Sequence, residues 1–236
     1  MKKLLFLTAI ALFAFSSINA QKGISFGLRA IPVINWTSVT DNDSINSYET
    51  DGAKMGIGFG PSIRYKFSDN FNVDVSGIFS WEKFTVNQKN DQYNPTPVIS
   101  VENNIKYQNL YIPLNLNGQF DVGGDFQALI NFGVAPAIKL SSTRQVTDDQ
   151  HPNDPGSNVP DYEPFKSLTF IDFFLTAGAG VVYNIEDNLH LSLTIQYNNG
   201  LLDGWLDNKE ETPDIIKDLS LKHKNVAFSF GFYIDL

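Results

Sequence analysis

Over residues 225–236 the chain alternates without a break, with Val226, Phe228, Phe230, Phe232, Ile234 and Leu236 on one side and Ala227, Ser229, Gly231, Tyr233 and Asp235 on the other. A side-chain period of two belongs to a β-strand with one apolar face and one small or polar face. The pattern recurs upstream. Residues 23–36 set Ile24, Phe26, Leu28 and Ala30 against Ser25, Gly27 and Arg29, and residues 56–67 set Ile57, Phe59, Pro61, Ile63, Tyr65 and Phe67 against Gly56, Gly58, Gly60, Ser62, Arg64 and Lys66. A third strand carries Phe71, Val73, Val75, Phe79 and Trp81, and a fourth, over 107–117, carries Leu110, Ile112, Leu114 and Leu116. Residues 126–140, 168–183 and 189–198 alternate likewise, making eight strands in all.

The connections fall into two kinds, in strict alternation. Those after the second, fourth and sixth strands (68–70, 121–125, 184–188) are short, whereas 37–54, 86–103, 141–166 and 200–222 are long and polar. With antiparallel neighbours, short turns share one end of the sheet and long loops the other. This asymmetry, with both termini at the short-turn end, predicts an all-β fold: an eight-stranded antiparallel up-and-down transmembrane β-barrel with periplasmic turns and extracellular loops. Pro32, Pro61, Pro113 and Pro136 fall within strands that would have no free edge, so bulges are expected there.

Periodicity does not say whether the apolar face points inward or outward; volume does. Eight strands enclose a space barely wide enough for side chains. About forty large apolar residues, many of them phenylalanine, do not fit there, while the Gly and Ser of the opposite face do. The apolar face is therefore expected to look outward. Tyr65, Phe67, Phe71, Tyr183 and Tyr197 read as one aromatic girdle beside the short turns, with Trp81 in the opposite girdle. Sliding the second strand by one residue would turn Arg64 and Lys66 into lipid, at about 2–4 kcal/mol each near the midplane, so a single register is expected.

Residues 1–20 read as a cleaved signal peptide, with Lys2 and Lys3, an apolar stretch over 4–15 and Ala20 at the cleavage site, leaving 21–236 as one barrel domain. No later stretch is long and apolar enough for a membrane helix. The absence of cysteine removes disulfides and cysteine-linked lipid anchoring. A net charge of −9 disfavours nucleic acid as a partner.

If Phe67 and Phe71 flank the 68–70 turn as partners, Arg64 lies directly opposite Asp74 and both point inward as an ion pair. Lys139 and Asp172 are a second candidate pair, with the long connection between them leaving their register open. Together with Arg29 and Glu82, these residues are expected to form a polar network that plugs the lumen. At the other end of the chain, Gly231, Ile234 and Leu236 resemble the C-terminal signal read by the barrel-assembly machinery.

The run over 171–183, an Asp followed by a glycine-rich strand ending in Tyr183, resembles the central signature of the PorT-like outer-membrane β-barrel family of Bacteroidetes, and 111–116 and 132–136 are similar to that family's fourth and fifth strands. The resemblance spans essentially the whole mature chain. It implies a barrel with no catalytic residues to assign, in a family with some members tied to protein secretion. No cofactor is expected, and no enzyme activity: neither a Gly-x-Ser-x-Gly nor a His-Glu-x-x-His motif accompanies His151, His190 or His223. The loop acids (Asp41 with Asp43, Asp148 and Asp149 with Asp154, Glu210 with Glu211) lack the glycine of an EF-hand loop and read as solvated charge, and residues 43–45 resemble an O-glycosylation acceptor. The expected function is a small, plugged barrel in outer-membrane lipid whose long loops engage an envelope protein partner, in surface binding or in envelope and secretion assembly. The alternative is a porin-like passive channel for small solutes.

Overall fold

The computed structural model describes residues 23–41, 46–90, 99–148, 163–166, 168–204 and 219–236. The signal peptide expected over 1–20, His151, the acids Asp43, Asp149, Asp154, Glu210 and Glu211 and the glycosylation acceptor lie outside the described residues. The strands are β1 (Ile24–Asp41), β2 (Asn46–Thr50), β3 (Lys54–Lys66), β4 (Phe71–Ser76), β5 (Ile78–Asn90), β6 (Ile99–Tyr111), β7 (Leu114–Gly123), β8 (Phe126–Asp148), β9 (Glu163–Pro164), β10 (Ile171–Glu186), β11 (Leu189–Gly200) and β12 (Leu219–Asp235).

Their antiparallel pairings form a closed circuit. β1 pairs with β3, β3 with β4 and β5, β4 with β7, β5 with β6, β6 and β7 with β8, β8 with β10, β10 with β11, β11 with β12, and β12 with β1 again. β4 and β5 are one path interrupted at Gly77, and β6 and β7 one path interrupted at Ile112 and Pro113, so the ring has eight strand paths. β2 and β9 are short additions on β5 and β8. The connections at 68–70, 124–125 and 187–188 are tight; Gly123 and Gly124 both take positive φ (113° and 61°), a region glycine enters without steric cost. At the other end the strands run well past the expected boundaries. β8 continues to Asp148, and β5 and β6 pair as far as Asn90 and Ile99.

Bulges do not form at the prolines, contrary to expectation. Pro32 and Pro136 keep register with their partners on β3 and β10, and the interruptions at Gly77 and Pro113 leave the register on either side unchanged. A proline loses only its donor. Its carbonyl still accepts, and Pro61, Pro113 and Pro136 take N–H bonds from Gly77, Ser76 and Ile112. Register shifts fall instead at Gln108/Asn109, Asp121/Gly123 and Asn184/Glu186, where an extra residue is absorbed near the strand ends.

The apolar face points outward, as volume requires. Phe59, Phe132 and Phe230 are 55%, 62% and 52% exposed, while Ser62, Asn115, Thr176 and Ser229 on the opposite face are buried. Phe67 stacks on Phe71 across the first tight turn, and Phe126 packs on Tyr183 beside the other two. Tyr197 does not belong with them. β11 starts at a tight turn, so its eighth onward residue lies at the long-loop end, where Tyr197 stacks on Trp36. Trp81 stacks on Phe59 at 5.5 Å on the same outer face.

Candidate functional site

The inside of the ring is filled at three levels. Nearest the tight turns, Asp74 is the centre. The turn after β3 fixes the β3–β4 register so that Arg64 lies opposite Asp74, with Nε 3.7 Å from Oδ2. Arg29 comes closer, its Nη1 3.3 Å from Asp74 Oδ1, and it also donates to Ser76 Oγ and Ser229 Oγ. Ser62 Oγ, Ser76 Oγ and the Tyr233 hydroxyl donate to the same carboxylate at 3.0, 3.0 and 2.9 Å. The Arg64 guanidinium lies 3.8 Å from the centroid of the Tyr233 ring. Glycine makes this crowding feasible: Arg29 is flanked by Gly60 and Gly231 on the neighbouring strands, and a Cβ on Gly27 or Gly231 would come within 2.5–2.6 Å of the Tyr233 ring. Below the cluster a polar vestibule of about 410 Å³, lined by Arg64, Lys66, Gln119 and His190 among others, opens at the tight-turn end and ends against it.

The middle level is apolar, which the alternation did not announce. Ile31, Val33, Ile78 and Ala227 pack into the lumen on one side, and Ala135, Ala137 and Phe174 on the other, both against Tyr111. Between them and the Arg29 cluster is a cavity of about 40 Å³, room for one or two waters. Glu82 sits at its far wall. Its carboxylate accepts from Ser80 Oγ at 2.8 Å and from the Tyr107 hydroxyl at 3.1 Å, and among the described residues no cation lies within ion-pair distance of it. Glu82 and Arg29 therefore do not join one network as expected. They belong to separate groups on either side of the belt, because the two inward residues of β1 that follow Arg29, Ile31 and Val33, are aliphatic.

At the long-loop end a third layer closes the ring. Phe84, Val86, Ile105, Tyr107 and Leu221 form an apolar core with Phe165, from the connection between β8 and β10 expected to be a polar loop, and with Leu168, expected to open the sixth strand. That segment is held in place: β9 pairs with β8, Lys139 Nζ donates to the Leu168 carbonyl, Ser142 Oγ to the Phe165 carbonyl, and the Arg144 guanidinium lies 5.2 Å from the Phe165 ring centroid. The expected Lys139–Asp172 ion pair is absent as a result. The register sets Asp172 against Ala137, and its carboxylate accepts N–H bonds from Phe173 and Leu202 and faces His223 Nδ1 at 3.7 Å. His223 packs against both the Phe84 and Tyr107 rings, which also touch each other, and among the described residues its buried Nε2 has no hydrogen-bond partner.

The other histidine of the described residues, His190, has both ring nitrogens engaged, by Asn184 Oδ1 at 2.8 Å and Asp235 Oδ2 at 2.9 Å. Among the described residues neither histidine is bonded to a hydroxyl, so the pairing of nucleophile and base that acyl transfer requires is not assembled around them. Of the three residues expected in the assembly signal, Gly231 faces the lumen, Ile234 faces outward, and Leu236, also exposed, caps the ring seam by donating its N–H to the Ile24 carbonyl. Sequence reasoning missed Tyr233, Ser62, Ser76 and Ser229 around Asp74, although their inward parity was legible. It also missed Phe165, which no periodicity marks, and the seat of Leu168 in the upper core.

No curated protein matches the chain. Among solved structures it is similar to Neisserial surface protein A (14% identity, 91% of this chain and 99% of that one, TM-score 0.43), to Ail, the attachment invasion locus protein of Yersinia pestis (13%, 91% and 100%, 0.36), and to the outer membrane protease OmpT from Escherichia coli (8%, 91% and 97%, 0.47). At these identities and scores the likenesses carry no functional argument. The family comparison reaches much further: residues 7–232 match the outer membrane protein β-barrel domain. The chain belongs to that family of outer-membrane β-barrel proteins.

Proposed function

We propose that this protein is a small integral outer-membrane barrel that spans the bilayer with eight strand paths, conducts no solute, and acts through its long-loop end as a surface-binding or envelope and secretion assembly component. One observation carries the reading: an apolar exterior of membrane height surrounds an interior that, among the described residues, is closed above its vestibule by the Arg29–Asp74 cluster, the apolar belt and the Phe84 core. Along β3 the outward face from Met55 to Tyr65 covers ten residue steps. At about 3.3 Å each, tilted by about 40°, they rise about 25 Å, the height of the apolar band on such barrels. Between the Arg29–Asp74 cluster and the apolar belt, by contrast, the described residues leave a space of only about 40 Å³. The loops remain as the working surface, since β1, β5, β6 and β8 project beyond the band on that side; β8 alone has 23 residues where about 9–11 cross the hydrocarbon. The resemblance to the PorT-like barrels favours an envelope or secretion role for that surface. The expected partners are outer-membrane lipid, the barrel-assembly machinery through the last strand, and an envelope protein at the loops.

Purified protein in planar bilayers tests the closed lumen. No steady conductance is expected, and none from Leu168→Ala either, because the Arg29–Asp74 cluster still seals the ring below the upper plug. Steady single-channel conductance of the unaltered protein would replace this reading with the channel.

A further inference from the structure

The vestibule at the tight-turn end is charged unequally along its depth: its floor is cationic and its mouth anionic. At the floor, the guanidiniums of Arg29 and Arg64 share the single carboxylate of Asp74, which leaves the cluster with a net charge of +1. Of the two, only Arg64 lines the vestibule. It is 6% exposed, meets Asp74 only at 3.7 Å, and among the described residues its Nε has no hydrogen-bond partner. Gln119, 7% exposed, lines the same space with its Nε2 likewise unpartnered, and its soft terminal torsion can turn a donor toward it. Asp235 does not neutralise this floor, since it is bonded by His190 at 2.9 Å and interacts electrostatically with Lys66.

At the mouth stand three acids, Asp125, Glu186 and Asp187, all exposed. Along β10 the wall runs from buried Val182 to exposed Glu186, four residue steps. At about 3.3 Å each, tilted by about 40°, they rise about 10 Å. An extended peptide covers about 3.3–3.6 Å per residue, so about three residues reach from floor to mouth. The volume of about 410 Å³ falls within the range of ligand pockets, about 300–1,000 Å³.

A buried guanidinium with a free donor is matched by a carboxylate, and acids around a mouth suit an ammonium. A simple anion has to pass the three acids, and a simple cation meets a positive floor. A molecule with one charge of each sign at opposite ends satisfies both. We propose that the vestibule binds a short peptide with free ends, its C-terminal carboxylate against Arg64 and Gln119 and its N-terminal ammonium among Asp125, Glu186 and Asp187. The Arg29–Asp74 cluster blocks onward passage, so the peptide is held and not conducted. The binding is a property of the ring alone; only its facing the periplasm rests on the membrane orientation proposed above.

The test uses the folded chain in a neutral detergent, with trialanine, its N-acetyl form and its C-terminal amide titrated separately by calorimetry. Trialanine is expected to bind. The amide lacks the carboxylate and should bind about tenfold or more weakly, the worth of one hydrogen bond to a charged group, and the acetyl form, without the ammonium, should also bind more weakly. Arg64→Gln, which leaves the Arg29–Asp74 pair in place, should weaken trialanine by about tenfold or more and leave the amide unaffected. Asp125→Asn with Glu186→Gln and Asp187→Asn should bring trialanine down to the affinity of the acetyl form. No binding of trialanine at millimolar concentration, equal affinity for trialanine and either blocked form, or an affinity unchanged by Arg64→Gln would overturn the proposal. The three ligands are compared on the unaltered chain, and a heat-modifiable gel shift establishes that each variant is folded. Membrane fractionation and bilayer conductance are read separately: a chain that embeds and conducts nothing but ignores trialanine sinks this inference alone.

Discussion

Replacing Asp74 by Ala is the sharpest perturbation of the lumen. The carboxylate sits 3.3 Å from Arg29 and 3.7 Å from Arg64 and accepts hydroxyl bonds from Ser62, Ser76 and Tyr233, all of them buried. At an effective dielectric near 20 the two attractions amount to about 5 and about 4.5 kcal/mol before desolvation is charged against them. Removal leaves two guanidiniums facing each other, +2 where the intact cluster carries +1, with three hydroxyls stripped of their acceptor. Breaking a buried pair from one side costs about 3–5 kcal/mol, and Asp74→Ala is expected to fall in that range. Arg64→Gln is the control. It leaves Arg29 and Asp74 as a neutral pair that still hydrogen-bonds, and Arg64 Nε has no hydrogen-bond partner to lose, so a cost below about 2 kcal/mol is expected. Arg29→Gln should lie between them, since Arg29 bonds Asp74, Ser76 and Ser229. The assay is urea unfolding of protein refolded into phosphatidylcholine bilayers, followed by tryptophan emission, with midpoints compared at constant slope. An Asp74→Ala cost within about 1 kcal/mol of zero, or no larger than that of Arg64→Gln, would refute the assignment of Asp74 as the charge centre.

The same assay reads two further changes. Phe230→Arg places a cation in the middle of the outward face and should cost about 2–4 kcal/mol if that face meets hydrocarbon; unchanged stability would deny it. Gly231→Ala drives a Cβ to 2.4 Å from Ser192 Oγ and 2.6 Å from the Tyr233 ring, so a loss of about 1–3 kcal/mol is expected, and a fully tolerated substitution would show that the ring packs elsewhere.

Much of the architecture was legible because its causes are local. Alternation in residues 56–67 or 225–236 needs only neighbours in sequence to reveal two faces, and tight turns such as 68–70 set the register of the strands they join. That is why the Arg64–Asp74 pair could be read without coordinates. Lys139 and Asp172 are separated by a long connection, and nothing near either one fixed how β8 meets β10; the structure sets Asp172 against Ala137 and gives Lys139 to the Leu168 carbonyl. Tyr197 was assigned to the wrong girdle because depth along a strand must be counted from its turn, and β11 runs away from its turn.

The amino-acid order by itself determined the strands, the tight turns, the outward direction of the apolar face with Phe59, Phe132 and Phe230, and the inward direction of Arg29, Arg64, Asp74, Glu82 and Asp172, all consequences of a period of two and of limited interior volume. Closure of the ring decided the rest. It brings Tyr233 to Asp74 across 159 positions and Ser229 to Arg29 across 200, divides Glu82 from Arg29 by an aliphatic belt, and seats Phe165 and Leu168 in the upper opening. Contacts across a lumen depend on which strands face one another once the first has met the last, and a one-dimensional pattern carries no term for that.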